Sequence, residues 1–207
     1  MTKTRKTYTK NNKTRKKRVF KSKDFIAGDG MMTAVWGPPM WHYLHTMSFN
    51  YPVNPTLEQK RHYRNFVLNL KNVLPCKYCR QNLKANFRKL PLTMSEMKNR
   101  DSFSRYIYEL HELVNRMLGK ESGLSYCDVR ERYEHFRARC TDENKVEKEK
   151  TKTNDPKTND PKTKEKGCTE PLYGKKAKCV LSIVPKEEKI ETFNVDKECI
   201  KTKSIPL

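Results

Sequence analysis

The chain has 207 residues, of which 33% are charged and only 35% apolar, with a mean hydropathy of −0.98. So few apolar side chains exclude a packed core along the whole length, and one compact domain with unstructured ends is expected. No apolar run approaches the roughly 18 residues of a transmembrane helix and no apolar h-region opens the chain, so no membrane association, no signal peptide and a cytoplasmic location are expected.

Residues 1–30 form the first expected element, a disordered basic arm. Met1 to Lys23 carries Lys or Arg at eleven positions and no acid, roughly half of the formal net charge of +21. Such an arm suits nucleic acid or another acidic surface, or serves only as a solvating tail. A basic nucleic-acid-binding or scaffold protein with structural cysteines is therefore one functional reading.

Residues 31–140 form the expected domain, because helical periodicity is confined to them. The first helix is predicted from Pro39, after "WGPP", with Trp41, Leu44, His45, Ser48 and Phe49 along one side, until Pro52 ends it. Asn54-Pro55 reads as a cap followed by proline in the first turn of a second helix, whose stripe is Phe66, Val67, Leu70 and Val73. "PCKYC" opens a third helix running toward Leu90, with Leu83 and Phe87 inward. A fourth follows Asp101, with Phe103, Ile107, Leu110, Val114 and Leu118 at helical spacing, and stops at Gly119. The fifth is predicted from Asp128 to Arg139, burying Val129, Tyr133 and Phe136. The expected fold class is all-α, a four-helix bundle with a short fifth helix.

Residues 141–167 read as a low-complexity linker, because "KTNDPKTNDPKT" offers proline and charge and nothing to bury. Residues 168–207 are a cysteine-containing tail, expected to be flexible, with two short apolar runs able to pair as strands.

The chemistry lies in Cys76 and Cys79. A C-x-x-C spacing serves zinc, a structural disulfide or a redox dithiol. Zinc needs a second knuckle, which Cys127, His135 and Cys140 do not provide by spacing. A thioredoxin-like site needs a flanking strand, and none is visible. A pair at a helix start, where free N–H groups and the macrodipole favour thiolate, points to redox chemistry. Two other features look unlike ordinary packing. His45 follows Trp41 by four residues and Asn115 follows His111 by four, so each pair shares a helix face, as a bound heteroaromatic cofactor would require.

Together "GPPMWHYLHTM", "PCKYC", "HELVNRMLGK" and "CDVRERY" resemble the Erv/Alr family of FAD-linked sulfhydryl oxidases, including members from large DNA viruses. The family pattern has a tryptophan with a histidine four later, then P-C-x-x-C, H-N-x-V-N-x-x-L-G-K, a cysteine and E-R-W. The resemblance implies a thiol oxidase that makes disulfides in protein dithiol substrates, with FAD as cofactor and oxygen reduced to hydrogen peroxide. It implies that Cys79 lies against the flavin while Cys76 exchanges with incoming thiols. FAD would be held by Gly37, Trp41, His45, His111, Asn115, Lys120, Arg132 and Tyr133. A homodimer is implied, as is a mobile shuttle pair, for which Cys168 and Cys179 are the candidates. With no targeting segment in view, the resemblance favours a viral setting, host cytoplasm or virus particle. The chain departs from the pattern at Glu112, where the family has asparagine, and at Tyr133, where it has tryptophan. Tyr108 stands where many members have a cysteine bridged to the counterpart of Cys127, so that bridge is excluded.

Overall fold

The computed structural model describes residues 21–26, 28, 30–141, 167–190 and 193–201. Residues 1–20 of the arm and 142–166 of the linker lie outside them. Among the described residues the element order is α1 (Ser22–Ile26), α2 (Thr33–Phe49), α3 (Leu57–Val73), α4 (Lys77–Lys89), α5 (Arg100–Met117), α6 (Tyr126–Glu134), β1 (Ala138–Thr141), β2 (Gly167–Pro171) and a 3₁₀ turn (Lys197–Cys199). The architecture is the expected helical bundle: α2 packs on α5 and α6, and α3 packs on α4. No helix of the described residues is long and apolar enough to cross a membrane.

Several helix boundaries differ from expectation. α1 occupies the last part of the arm, expected to be disordered. α2 starts at Thr33, six residues earlier than predicted, and runs through Pro38 and Pro39. The prolines lack N–H donors, so the carbonyls of Ala34 and Val35 lose their i+4 partners, while the turn ahead of them is closed by Val35 N–H to Met32 O (3.0 Å) and by Trp36 Nε1–H to Met31 O (3.1 Å).

α3 is capped by Thr56 rather than by Asn54. Gln59 N–H donates to Thr56 Oγ1 (3.2 Å) and Thr56 N–H donates to Gln59 Oε1 (2.9 Å), so two otherwise orphaned donors are satisfied reciprocally. Replacing Thr56 by Ala is expected to lower stability by about 1 kcal/mol in a denaturant titration, with Thr56→Ser close to wild type.

Of the predicted α3 stripe only Val67 and Leu70 are buried; Phe66 and Val73 are exposed. α5 keeps Phe103, Ile107 and Leu110 inside, while Leu118 is exposed at its end, where Gly119 takes the positive φ of +64° that closes the helix. α6 spans Tyr126–Glu134 instead of 128–139. Its start is advanced by a Ser125–Asp128 capping box, and its predicted last turn is unwound into β1. One core gathers Leu44, Tyr51, Val67, Leu70, Leu83, Phe103, Tyr106, Ile107 and Leu110, together with Leu92 and Met97 from the loop between α4 and α5. The buried Tyr51 hydroxyl donates to Met97 O (3.0 Å) and that of Tyr106 to Leu90 O (3.0 Å), so neither phenol is left without a partner.

Among the described residues the two apolar runs of the tail do not pair as strands. β2 instead returns to the domain and runs antiparallel to β1, with Ala138 opposite Pro171, Arg139 opposite Glu170 and Thr141 opposite Gly167. Val180, Leu181 and Ile183, the apolar run read as a strand, are exposed and irregular.

Candidate functional site

Cys76 is the N-cap of α4, and its sulfur accepts a hydrogen bond from Cys79 N–H (3.2 Å). The two residues are half-buried and joined in a disulfide, their Cα atoms 5.2 Å apart, a separation the helix start imposes on positions three apart. Two backbone contacts fix the approach to the pair. Cys76 forms an isolated antiparallel bridge with Gly30, and Met31 N–H donates to Pro75 O (2.7 Å). A Cβ on Gly30 would stand 2.7 Å from Pro75 O, so this crossing requires glycine. Arg80, near the start of α4, donates from its guanidinium to Leu74 O, two residues before Cys76. A groove of about 620 Å³ runs from Pro75 along α2 and α3, lined by Trp36, Pro39, Met40, Tyr43, Leu70 and Leu74.

The second part of the site is a layer of rings between α2, α5 and α6. Trp41 stacks on His111 with centroids 4.0 Å apart and planes within 7°. His111 Nδ1 is hydrogen-bonded to His45 Nε2 (3.0 Å). His45 in turn lies 5.2 Å from the Tyr133 ring at an angle of 28°. Tyr133 stacks on Phe49, and its hydroxyl pairs with His42 Nδ1 (3.3 Å).

Burial decides the electrostatics of this layer. Desolvation, with the neighbouring His111 and His42 adding to it, lowers the pKa of His45 to about 3; desolvation lowers that of His111 to about 4, against a smaller opposing effect of Glu112. Both imidazoles are neutral at physiological pH, each with one donor and one acceptor nitrogen. Burial also pushes the Tyr133 phenol up to about 12, so it stays protonated. One group in the layer is unsatisfied: His45 Nδ1 is buried with no hydrogen-bond partner. A buried polar atom costs about 1–3 kcal/mol when left without a partner, and a bound group that pairs with it removes that cost. Flat neutral rings beside an unpaired imidazole nitrogen suit a heteroaromatic ligand with hydrogen-bonding edges.

Among the predicted residues, Trp41, His45, His111 and Tyr133 meet in this layer. Asn115 stays within α5, its amide donating to Glu112 Oε1 (2.9 Å) while its backbone carbonyl accepts from Lys120 N–H (2.9 Å). Lys120 and Arg132 are exposed. Gly37 lies inside α2, where an added Cβ would meet only Thr33 Cγ2 at 3.8 Å, an ordinary contact. His42, Phe49 and Phe193 join the layer although none was predicted as a site residue. The one available signal for His42 was its place directly after Trp41, a turn of about 100° that aims it at α6 rather than α5.

The other cysteines are distributed differently. Cys127 is free and exposed; beside it Tyr108 does the joining, its hydroxyl donating to Leu124 O (2.9 Å) and so tying α5 to the entry of α6. Cys168 is in a disulfide, whereas Cys179 is free and exposed and Cys199 free and half-buried. Cys168 and Cys179 are therefore not bonded to each other. No group of three metal-ligating side chains occurs among the described residues.

The model of the Erv1/Alr family matches residues 38–136. A probable FAD-linked sulfhydryl oxidase of Acanthamoeba polyphaga mimivirus is 35% identical over 86 residues, 42% of this chain and 60% of that protein. The FAD-linked sulfhydryl oxidase ERV1 of Arabidopsis thaliana is 32% identical over 84 residues, 41% of this chain and 42% of that protein. The FAD-linked sulfhydryl oxidase of African swine fever virus is 29% identical over 99 residues, 48% of this chain and 80% of that protein. The chain thus spans about half the length of the mimivirus and plant relatives.

Proposed function

We propose that this chain, whose residues 38–136 match the model of the Erv1/Alr family, is an FAD-dependent sulfhydryl oxidase that introduces disulfides into protein dithiols. The observation that carries this reading is the Cys76–Cys79 disulfide at the head of α4, in the same bundle as a neutral ring layer with an unpaired imidazole nitrogen.

Cys76 is the sulfur assigned to the substrate. A substrate thiolate attacks Cys76 Sγ, forming a mixed disulfide and releasing Cys79 Sγ as a thiolate. The start of α4 stabilises that charge through its N–H groups and macrodipole. A second substrate thiolate then attacks the substrate sulfur of the mixed disulfide. The substrate leaves oxidised by two electrons, and Cys76 and Cys79 are left reduced. FAD, when bound, supplies the two-electron acceptor that restores the Cys76–Cys79 disulfide and hands the pair to oxygen as hydrogen peroxide. Gly37, Trp41, His45, His111, Asn115, Lys120, Arg132 and Tyr133 are the residues that would hold it. Of these, His45 would offer its unpaired nitrogen, and Trp41 and His111 their stacked faces. The Asn115 amide would have to exchange its Glu112 partner for the cofactor, a cost that follows from Glu112 standing where the family has asparagine.

The exposed Tyr43 and Phe66, in edge contact at 6.0 Å across α2 and α3, support a second copy of the chain as partner on that face. The basic arm is assigned to acidic surfaces by its charge alone.

Purification provides the test. The protein is expected to carry a flavin absorption spectrum and to consume oxygen when given dithiothreitol. A colourless protein that binds zinc and leaves oxygen untouched would overturn the reading.

A further inference from the structure

The residues after the family-matching domain return to the ring layer, and they are held there at several points. Leu172 N–H donates to Arg137 O (2.8 Å) at the end of the β1–β2 ladder. Lys175 N–H donates to Glu198 O (2.8 Å), and its ammonium pairs with the Glu198 carboxylate (2.7 Å). Gly174, at φ +64°, lets the chain pass so close to Cys199 that a Cβ would lie 2.7 Å from the Cys199 carbonyl carbon. Lys201 N–H donates to His135 Nδ1 (3.1 Å), directly after α6. Between these anchors the chain presents one aromatic side chain to the domain, Phe193.

Its ring sits among three others and a cation. Centroids lie 5.5 Å away at His42, 6.2 Å at Tyr133 with planes 29° apart, and 6.2 Å at Phe136 with planes nearly perpendicular. The Arg132 guanidinium carbon stands 5.7 Å from the same centroid. Tyr133 and His42 are hydrogen-bonded to each other, and Tyr133 is the next ring to His45. Phe193 therefore covers the layer at the residues where this chain carries its smaller substitute, Tyr133, for the family's tryptophan.

We propose that Phe193 is a positioning residue for the cofactor. It holds Tyr133 and His42 in the plane that faces His45 and shields that edge of the site from water. The tail is thereby a functional wall of the domain. The inference rests on the flavin reading, since the ring layer is what it completes. Reciprocity follows: if the packed tail favours FAD, bound FAD favours the packed tail.

Full-length apoprotein titrated with FAD, followed by flavin fluorescence, tests this. Phe193→Ala is expected to weaken FAD binding about tenfold, the loss of a few well-packed ring contacts, while Phe193→Tyr stays within about twofold of wild type. FAD is also expected to slow tryptic cleavage at Lys175 to Lys189 in wild type and to lose that protection in Phe193→Ala. Equal FAD affinity in Phe193→Ala and wild type would overturn the proposal and leave the flavin reading intact. Equal weakening in the Ala and Tyr variants would also overturn it, because a general tail defect would then explain the effect. Wild-type protein that takes up no FAD would remove the flavin reading, and this proposal with it.

Discussion

Cys79→Ser is expected to lower dithiol-driven oxygen consumption by about a thousandfold or more, since the variant retains no disulfide to accept electrons. Cys76 would keep its place as N-cap, because the hydrogen bond it accepts comes from the backbone N–H of residue 79, which serine also possesses. Substrate thiols then meet an isolated Cys76 that can form a mixed disulfide only if already oxidised, and no neighbouring sulfur leaves or returns. The residues assigned to FAD lie on α2, α5, α6 and the loop after α5, so the purified variant should stay yellow. Retained colour with lost turnover separates chemistry from folding. Turnover near that of wild type would remove Cys79 from the reaction.

Acid is expected to destabilise the protein through the buried His45 and the half-buried His111. His45 and His111 have folded pKa values of about 3 and about 4, below the ordinary 6.5, because burial penalises the imidazolium. The unfolded chain consequently binds more protons between pH 6.5 and those values. Stability is full above about pH 6.5 and is lost as pH falls through the folded values, each group contributing up to about 1.4 kcal/mol per pH unit. Because the two rings are hydrogen-bonded to each other, their losses are shared and not simply additive, but both act in the same direction. His42, also lowered by burial, adds in the same direction. Denaturant midpoints measured from pH 7.5 to pH 4.5 should fall steeply below pH 6.5. His111→Phe should flatten that slope while lowering the plateau, because it removes one titrating ring and leaves His45 Nε2 without its partner. A plateau that persists to pH 4.5 in wild type would show that these rings are not buried in the neutral form.

Much of the bundle could be read from the sequence because its cores are periodic. Phe103, Ile107 and Leu110 recur at helical spacing, and all three are inside. The C-x-x-C pair after Pro75 marks a helix start, which the structure bears out at Lys77, while its spacing alone leaves zinc, a structural disulfide and a redox dithiol open. Trp41/His45 and His111/Asn115 are visible as polar or aromatic groups on otherwise apolar faces; either pair alone fits a satisfied core, and it is the two pairs together with the helix-starting C-x-x-C that point to a cofactor.

What escaped the sequence depends on competition between local rules, or on contacts between residues far apart. Asn54-Pro55 is a sound helix start, but Thr56 with Gln59 satisfies two donors where Asn54 would satisfy one, so the later start wins. Phe66 and Val73 fit the apolar stripe of α3 yet face outward, because a period of 3.6 does not say which edge of a broad stripe meets the core. The end of α6 unwinds because β2, on the far side of the linker, supplies a ladder partner that no local pattern foretells. Phe193 lies in the second short apolar run of the tail, a pattern that suggests strand pairing and says nothing of the ring layer, because its neighbours His42, Tyr133 and Phe136 lie far away in sequence.

The central claim, that Cys76 and Cys79 deliver electrons to a flavin held in the same bundle, is tested most directly by mixing the purified protein with dithiothreitol in the absence of oxygen and following its visible absorbance. The predicted result is bleaching of the flavin in wild type, recovery of colour on admitting air, and neither change in Cys79→Ser. A flavin that remains oxidised while the Cys76–Cys79 disulfide is fully reduced would contradict the account.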